Sequence, residues 1–134
     1  MNASLWLFLY LNFAFLSKEN EQFHYGTSSP EARTEYLKGW EQILDRGEWT
    51  LAEASFRKAV DLDSGFLLAW SQVGRISKNP EERALIFQQL YGKKSQVTGL
   101  EKKLLDIYLY SLELIDSKDR GLPIIREQIS EFYT

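Results

Sequence analysis

The chain has 134 residues, the length of a single domain, and 44% hydrophobic with 26% charged residues is ordinary for a globular protein. A net charge of −3 without clustered Lys and Arg argues against a nucleic-acid-binding surface. The absence of cysteine excludes disulfides and thiolate metal sites.

An apolar run lies near the N-terminus, where residues 5–16 read LWLFLYLNFAFL and only Asn12 is polar. The run is shorter than the roughly 20 apolar residues that span a bilayer, and its length is typical of a signal peptide. We therefore expect residues 1–17 to be a signal peptide cleaved after Ala14 or Ser17, and the protein to be exported to the periplasm or secreted. MNAS lacks the usual basic residue, so an uncleaved membrane anchor and a helix packed on the folded part remain alternatives. The polar residues 18–29 are predicted to be a linker.

The first two predicted helices form a hairpin. Ser29-Pro30-Glu31 supplies a capping hydroxyl, a proline at the first helical position and an acid at the positive end of the dipole, and Gly47 is the predicted stop. The second helix is predicted over residues 48–62. The expected buried faces are Tyr36, Gly39, Trp40, Ile43 and Leu44 in the first helix, and Ala52, Phe56, Ala59 and Val60 in the second.

A second hairpin is predicted after the turn Asp63-Ser64-Gly65. Its first helix buries Phe66, Ala69, Trp70, Val73, Gly74 and Ser77. Its second helix begins at the Asn79-Pro80 cap, runs to about Tyr91 and is ended by Gly92.

The third predicted hairpin starts with a capping box at Thr98-Gly99-Leu100-Glu101. Its long helix is expected to bury Leu104, Ile107, Tyr108, Leu112 and Ile115. A turn at DSKDRG, residues 116–121, leads to a sixth helix with Ile125, Ile129 and Phe132 on one face. No segment alternates with period two, so the predicted fold is all-α, with antiparallel hairpins at 30–62, 65–91 and 99–134.

Residues 35–75, EYLKGWEQILDRGEWTLAEASFRKAVDLDSGFLLAWSQVGR, resemble one tetratricopeptide repeat and the first helix of the next. Tyr36 and Trp70 are 34 residues apart, and each is followed by a small residue, at Gly39 and Gly74. The turn Gly47-Glu48-Trp49 and the series Ala52, Phe56, Ala59 match the second helix of such repeats. The sequence departs from the family at Ser64, where proline is usual, at Gly39, one residue early, and in a shortened turn near Asn79. An unrelated helical bundle with similar packing is the alternative.

The resemblance implies a short right-handed solenoid of stacked hairpins with a concave binding groove. The groove residues implied by the family pattern are Leu37, Glu41, Leu44, Ser71, Arg75 and Lys78. Glu41 and Arg75 together favour a polar peptide ligand, although charged residues on a helix face are often only solvated. Leu37 and Glu41 stand where some such domains carry the Lys and Asn that clamp a peptide carboxylate, which disfavours a receptor for chaperone tails.

These features favour a non-enzymatic scaffold that binds a protein or peptide. The alternative is the sensory or regulatory repeat region of a larger bacterial signalling protein whose effector lies elsewhere. We predict no catalytic residue, metal or cofactor, because the single histidine, His24, lies in the predicted linker without a recognisable partner. We expect membrane contact, if any, only through an uncleaved N-terminal segment.

The array is also predicted to be incomplete at its C-terminus. The sixth helix carries apolar residues such as Ile125 and Ile129 but no polar terminal cap. Further repeats downstream, a partner, or self-association through this helix would then cover that face.

Overall fold

A computed structural model describes residues 23–119 of the chain, and this part is all-helical. The helices are α1 (Pro30–Arg46), α2 (Trp49–Leu62), α3 (Leu67–Ile76), α4 (Pro80–Lys93) and α5 (Gly99–Asp119), with a 3₁₀ turn at Lys94–Gln96 after α4. No strand occurs between residues 23 and 119, as the lack of period-two alternation predicted.

The predicted ends of α1 are confirmed. The Ser29 hydroxyl accepts a hydrogen bond from the Ala32 N–H at 3.1 Å, which satisfies one of the free donors of the first turn. Gly47 ends the helix in the left-handed conformation, with φ of 64°, and its N–H donates to the carbonyl of Ile43. This conformation is inexpensive only for glycine, so Gly47 reverses the chain directly into α2.

Helices α1 and α2 pack antiparallel along their length. Ser55 lies opposite Gln42, Phe56 opposite Gly39, and Lys58 near Glu35 at the far end. The predicted face of α2 is confirmed, because Ala52, Phe56 and Ala59 are fully buried and Val60 nearly so. On α1 the prediction is wrong at Leu44, which is 73% exposed, while the polar Gln42 is buried.

Helix α3 is the centre of the fold. It contacts α2, α4 and α5, and most of its circumference is inaccessible to solvent. The buried residues are Leu67, Leu68, Ala69, Ser71, Gln72, Val73 and Gly74. The apolar stripe in the sequence correctly predicted Ala69, Val73 and Gly74. The other buried positions were not predicted, because a helix enclosed by three neighbours has no single apolar face.

Helix α4 begins as predicted and ends later. The side-chain oxygen of Asn79 accepts from the N–H groups of Glu81 and Glu82 at 2.9 and 3.3 Å. Gly92 does not end the helix, which continues to Lys93 and tightens into the 3₁₀ turn. Gly92 keeps a right-handed backbone, because glycine permits a left-handed stop without imposing one.

Helix α5 is rotated relative to the prediction. Its buried residues are Leu105, Leu109 and Leu112, of which only Leu112 was predicted. Ile107 is 48% exposed, and Leu104, Tyr108 and Ile115 are only partly buried. One residue turns a helix by about 100°, so a shift of one position in the assumed register moves the buried face. The predicted turn at residues 116–121 is wrong at its start, since α5 includes Asp116 to Asp119.

The end of the predicted linker is packed on the core. Phe23 and Tyr25 contact the core residues, and the ring of Tyr25 lies 5.4 Å from that of Tyr36. The Thr27 hydroxyl donates to the carboxylate of Asp63. Residues 23–29 are therefore part of the folded unit, because their aromatic side chains bury apolar area that a linker would leave in water. The predicted signal peptide at 1–17 and the sixth helix with Ile125, Ile129 and Phe132 lie outside the described residues.

Candidate functional site

A half-enclosed pocket of about 240 Å³ opens where α1, α2, α3 and α5 meet. We call it the Arg75 pocket. Its lining comes from Trp40 and Ile43 of α1, Trp49 of α2, Gln72, Arg75 and Ile76 of α3, and Ile115 of α5. Apolar walls with a few polar groups are the usual chemistry of a ligand-binding cavity.

Helical spacing explains how local sequence builds this pocket. Trp40 and Ile43 are three residues apart and therefore share a face of α1, as Gln72 and Arg75 share a face of α3. The left-handed turn at Gly47 places Trp49 in the first turn of α2. Trp49 is 56% exposed, so its indole borders the pocket without being held in the core.

The guanidinium of Arg75 lies near two aromatic rings from neighbouring helices. Its central carbon is 5.9 Å from the ring centroid of Trp40 and 5.4 Å from that of Tyr108. The two rings are themselves 6.0 Å apart. A cation this close to aromatic faces is stabilised by their quadrupoles, so α1, α3 and α5 are linked through one cation–π cluster.

Arg75 carries a charge that the described part of the chain does not neutralise. Nη1 donates to Oε1 of Gln72 at 2.7 Å, but the buried Nε has no hydrogen-bond partner and no described carboxylate forms an ion pair with the group. Burial lowers the pKa of Arg75 from its ordinary value, although Tyr108 and Tyr36 oppose the shift. An unpaired, partly buried guanidinium favours the binding of an anion.

A buried aromatic cluster packs against Trp40, which lines the pocket. The ring of Tyr36 lies 5.7 Å from that of Phe56 and 5.0 Å from that of Phe66, and Trp40 packs edge-on against Tyr36 and Phe56. Burial raises the pKa of Tyr36 well above its usual range, so its phenol stays neutral. Tightly packed rings restrict the positions of Trp40, which in turn fixes the face that contacts Arg75.

The six predicted groove residues lie in different environments. Of the six, Arg75 lines the pocket, while Leu37, Glu41, Leu44 and Lys78 are exposed outside it. Glu41 pairs with Arg46 at 2.7 Å, with both side chains more than half exposed, so the expected combination of Glu41 with Arg75 is not present.

Ser71 is the clearest correction to the predicted groove. Its side chain is fully buried, and its hydroxyl donates to the carbonyl of Leu68 at 2.6 Å and accepts from Nε2 of Gln72 at 3.2 Å. Contact between Trp40 of α1 and Tyr108 of α5 brings the flanking helices together beside α3. On the predicted groove face of α3, Ser71 is inside the protein, whereas Arg75 is partly buried and Lys78 is exposed.

The sequence interpretation did not place the other lining residues in a pocket, and it assigned Trp40, Ile43 and Ile115 to buried helix faces. The repeat period of the sequence could have predicted part of the site. Trp40, Arg75 and Tyr108 recur at intervals of 35 and 33 residues, on the first helix of each predicted hairpin. Large side chains at equivalent positions of stacked repeats contact each other, so this spacing predicts the cluster.

Two wider and more open depressions lie elsewhere on the surface of the protein. One lies between α4 and α5 beside Phe87, Tyr91 and Ile107, and the other lies near His24 and Arg33. Among residues 23–119, no group of three or more His, Cys, Asp or Glu side chains is arranged to hold a metal ion. Within the same part of the chain, no helix has both the length and the apolar character needed to cross a membrane.

Comparisons with protein-family models, with curated proteins and with solved structures find no match to this chain.

Proposed function

We propose that the protein is a non-enzymatic binding module of tetratricopeptide-like hairpins that holds a protein or peptide ligand at the Arg75 pocket. The observation that carries this proposal is the pocket itself, in which apolar walls surround an arginine without a carboxylate partner. The exposed Trp49 at its border supplies a large, rigid contact surface of the kind enriched at protein interfaces.

The tetratricopeptide-like arrangement is supported by the way the hairpins pack. Helices α1 and α2 are antiparallel, with Gly39 beneath Phe56, and Gly74 of α3 lies against Ile86 of α4. A small residue facing a large one lets two helices approach closely, which is the packing that such repeats use. The 35- and 33-residue intervals in the cation–π cluster fit the family period of 34.

Export remains part of the proposal. It rests on the twelve-residue apolar run before the polar residues 18–22, which the sequence alone supplies. Intact-mass measurement of the protein after expression in a host with a secretion pathway tests it. A mature chain that begins near residue 15 or 18 is expected, and a cytosolic chain that still begins at Met1 would contradict export.

Peptide selection tests the binding function. A displayed library of random peptides with free C-termini is selected against the full chain, and the enriched peptides are synthesised and titrated by calorimetry. We expect Trp49→Ala to weaken their binding by about tenfold or more, because a tryptophan at an interface typically contributes more than 1 kcal/mol.

Leu51→Ala is the matched control for this experiment. Leu51 is on the same helix and 52% exposed, close to the 56% of Trp49, but it does not line the pocket. The affinity of the Leu51→Ala variant for the selected peptides should stay within about twofold of the affinity of the original chain. Failure to enrich any peptide, or equal effects of the two variants, would contradict peptide binding at this site.

A further inference from the structure

We infer that the Arg75 pocket recognises a carboxylate attached to a small apolar group. The inference rests on the proposed function and specifies the chemistry of its ligand. The shared chemistry has two possible sources, namely the C-terminus of a peptide that ends in an apolar residue, or a free aliphatic acid.

The free hydrogen-bond donors of Arg75 match a carboxylate. Nη1 is engaged by Gln72, whereas neither Nε nor Nη2 donates to a described residue. Nε and Nη2 form one edge of the planar guanidinium, and two parallel N–H donors on that edge match the two oxygens of a carboxylate. Nε is enclosed in the free protein, so a bidentate contact requires a small shift of the guanidinium toward the ligand.

The electrostatic environment of Arg75 also favours an anionic ligand. The Arg75 charge is partly removed from water and faces the rings of Trp40 and Tyr108 instead of a carboxylate. Cation–π contact stabilises the charge but leaves its hydrogen-bond donors unused, because a ring face accepts weakly. An incoming carboxylate would supply both the opposite charge and the missing acceptors.

The size and lining of the pocket select what the carboxylate is attached to. A volume of about 240 Å³ suits one side chain or a short aliphatic acid and is too small for a nucleotide. Ile43, Ile76 and Ile115 provide aliphatic contacts for such a group. A single cation without a second basic residue in the lining also favours a monoanion over a phosphate.

The experiment compares matched acids and amides on the full chain. N-acetyl-leucine, N-acetyl-leucinamide, N-acetyl-Ala-Ala-Leu and 4-methylpentanoate are titrated by calorimetry, and the Nε–H resonance of Arg75 is followed by NMR. We expect the acids to bind at least about tenfold more tightly than the amide and to shift the Arg75 resonance.

Two arginine variants locate the effect. Arg75→Gln should remove the difference between acid and amide. Arg33→Gln should retain it, because Arg33 is also partly buried with an unpartnered Nε but lies outside this pocket. If Arg75→Gln is poorly folded, the comparison of acid with amide on the unmodified chain still decides the question.

The results also separate the two sources and the two proposals. Tighter binding of N-acetyl-Ala-Ala-Leu than of 4-methylpentanoate identifies a peptide C-terminus, and the reverse order identifies a free acid; either supports the inference. Equal binding of acid and amide, or no acid binding up to about 10 mM, would overturn it. Selected peptides that bind near Trp49 independently of Arg75 would leave the proposed function intact, whereas acid binding without any peptide binding would contradict that function alone.

Discussion

Gly39 of α1 lies directly beneath the ring of Phe56 of α2. A Cβ atom added at Gly39 would be 2.6 Å from Cε1 of Phe56 and 2.8 Å from its Cζ, distances that real Cβ contacts do not show. The missing side chain therefore lets α1 and α2 approach, and the ring of Phe56 fills the space. The alternation of small and large residues seen in the sequence has its physical basis in this contact.

Gly39→Ala should destabilise the protein by about 1–3 kcal/mol through overpacking, reduced by up to about 1 kcal/mol because alanine favours helix more than glycine. Chemical denaturation measures the change. Gly92→Ala is the control, since Gly92 is also helical but an added Cβ meets no atom within 4 Å. The control should be neutral or slightly stabilising, and similar losses in the two variants would contradict the Gly39–Phe56 contact.

Replacing the buried alanines of α2 by tryptophan should unfold the hairpin. Ala52 and Ala59 are fully buried, and overpacking a close helix contact costs about 1–3 kcal/mol or more of a small domain's stability. Ala52→Trp and Ala59→Trp should lower the melting temperature strongly. Leu51→Trp on the exposed side of α2, and Glu41→Ala at a solvent-exposed pair, should change it little. Equal tolerance at all four positions would mean that the packing register is wrong.

The hydrogen bond from Ser55 to Gln42 should contribute measurably to stability. The Ser55 hydroxyl donates to Oε1 of Gln42 at 2.8 Å, and both side chains are buried. Ser55→Ala leaves that oxygen without this donor, so we expect a loss of about 1–2 kcal/mol in urea denaturation. Ser95→Ala, at an exposed position, should cost under about 0.5 kcal/mol. A double-mutant cycle with Gln42→Ala should give a coupling energy of about 1 kcal/mol, and additive losses would exclude the bond.

Stability should fall in acid partly through Glu82, which connects α4 to α2. The two oxygens of Glu82 accept from Nη1 and Nη2 of Arg57 at 2.8 and 2.9 Å, and the Ser77 hydroxyl also donates to it. The Arg57 hydrogen bonds and then that of Ser77 lower the pKa of Glu82 from 4.5 to about 2. A carboxyl with a lowered folded-state pKa stabilises the protein above its unfolded pKa and loses that effect as the pH falls through the folded value.

The test is the difference in unfolding free energy between the original chain and Glu82→Gln across pH. It should be about 1 kcal/mol or less at neutral pH and should shrink as the pH falls from 4.5 toward 2. Glu81→Gln, the same change at an exposed residue in the same helical turn, should show a smaller and flatter difference. A constant difference for Glu82→Gln from pH 7 to pH 2 would exclude the charged pair.

Local chemistry in the sequence determined where α1 and α4 begin and how the first hairpin packs. Ser29 and Asn79 are caps because their side chains reach backbone N–H groups two or three residues ahead, and Gly47 reverses the chain through its own conformation. These interactions involve neighbours along the chain, so sequence spacing suffices to predict them. The buried face of α2 could also be predicted from the sequence, because a helix packed on one main side has a single apolar stripe.

Tertiary structure decided which side chains of the candidate site are buried, although the spacing of Trp40, Arg75 and Tyr108 in the sequence already indicated that these three meet. Ser71 and Gln72 are polar, yet they are buried because α3 is enclosed by its neighbours, and no local pattern on α3 carries that information. Arg75 would be an ordinary solvated residue if Trp40 and Tyr108 did not arrive beside it from helices 35 residues earlier and 33 residues later. Whether a charged side chain is solvated or enclosed depends on these long-range contacts. The reason is that desolvation is set by the atoms that surround the charge and not by the residue itself.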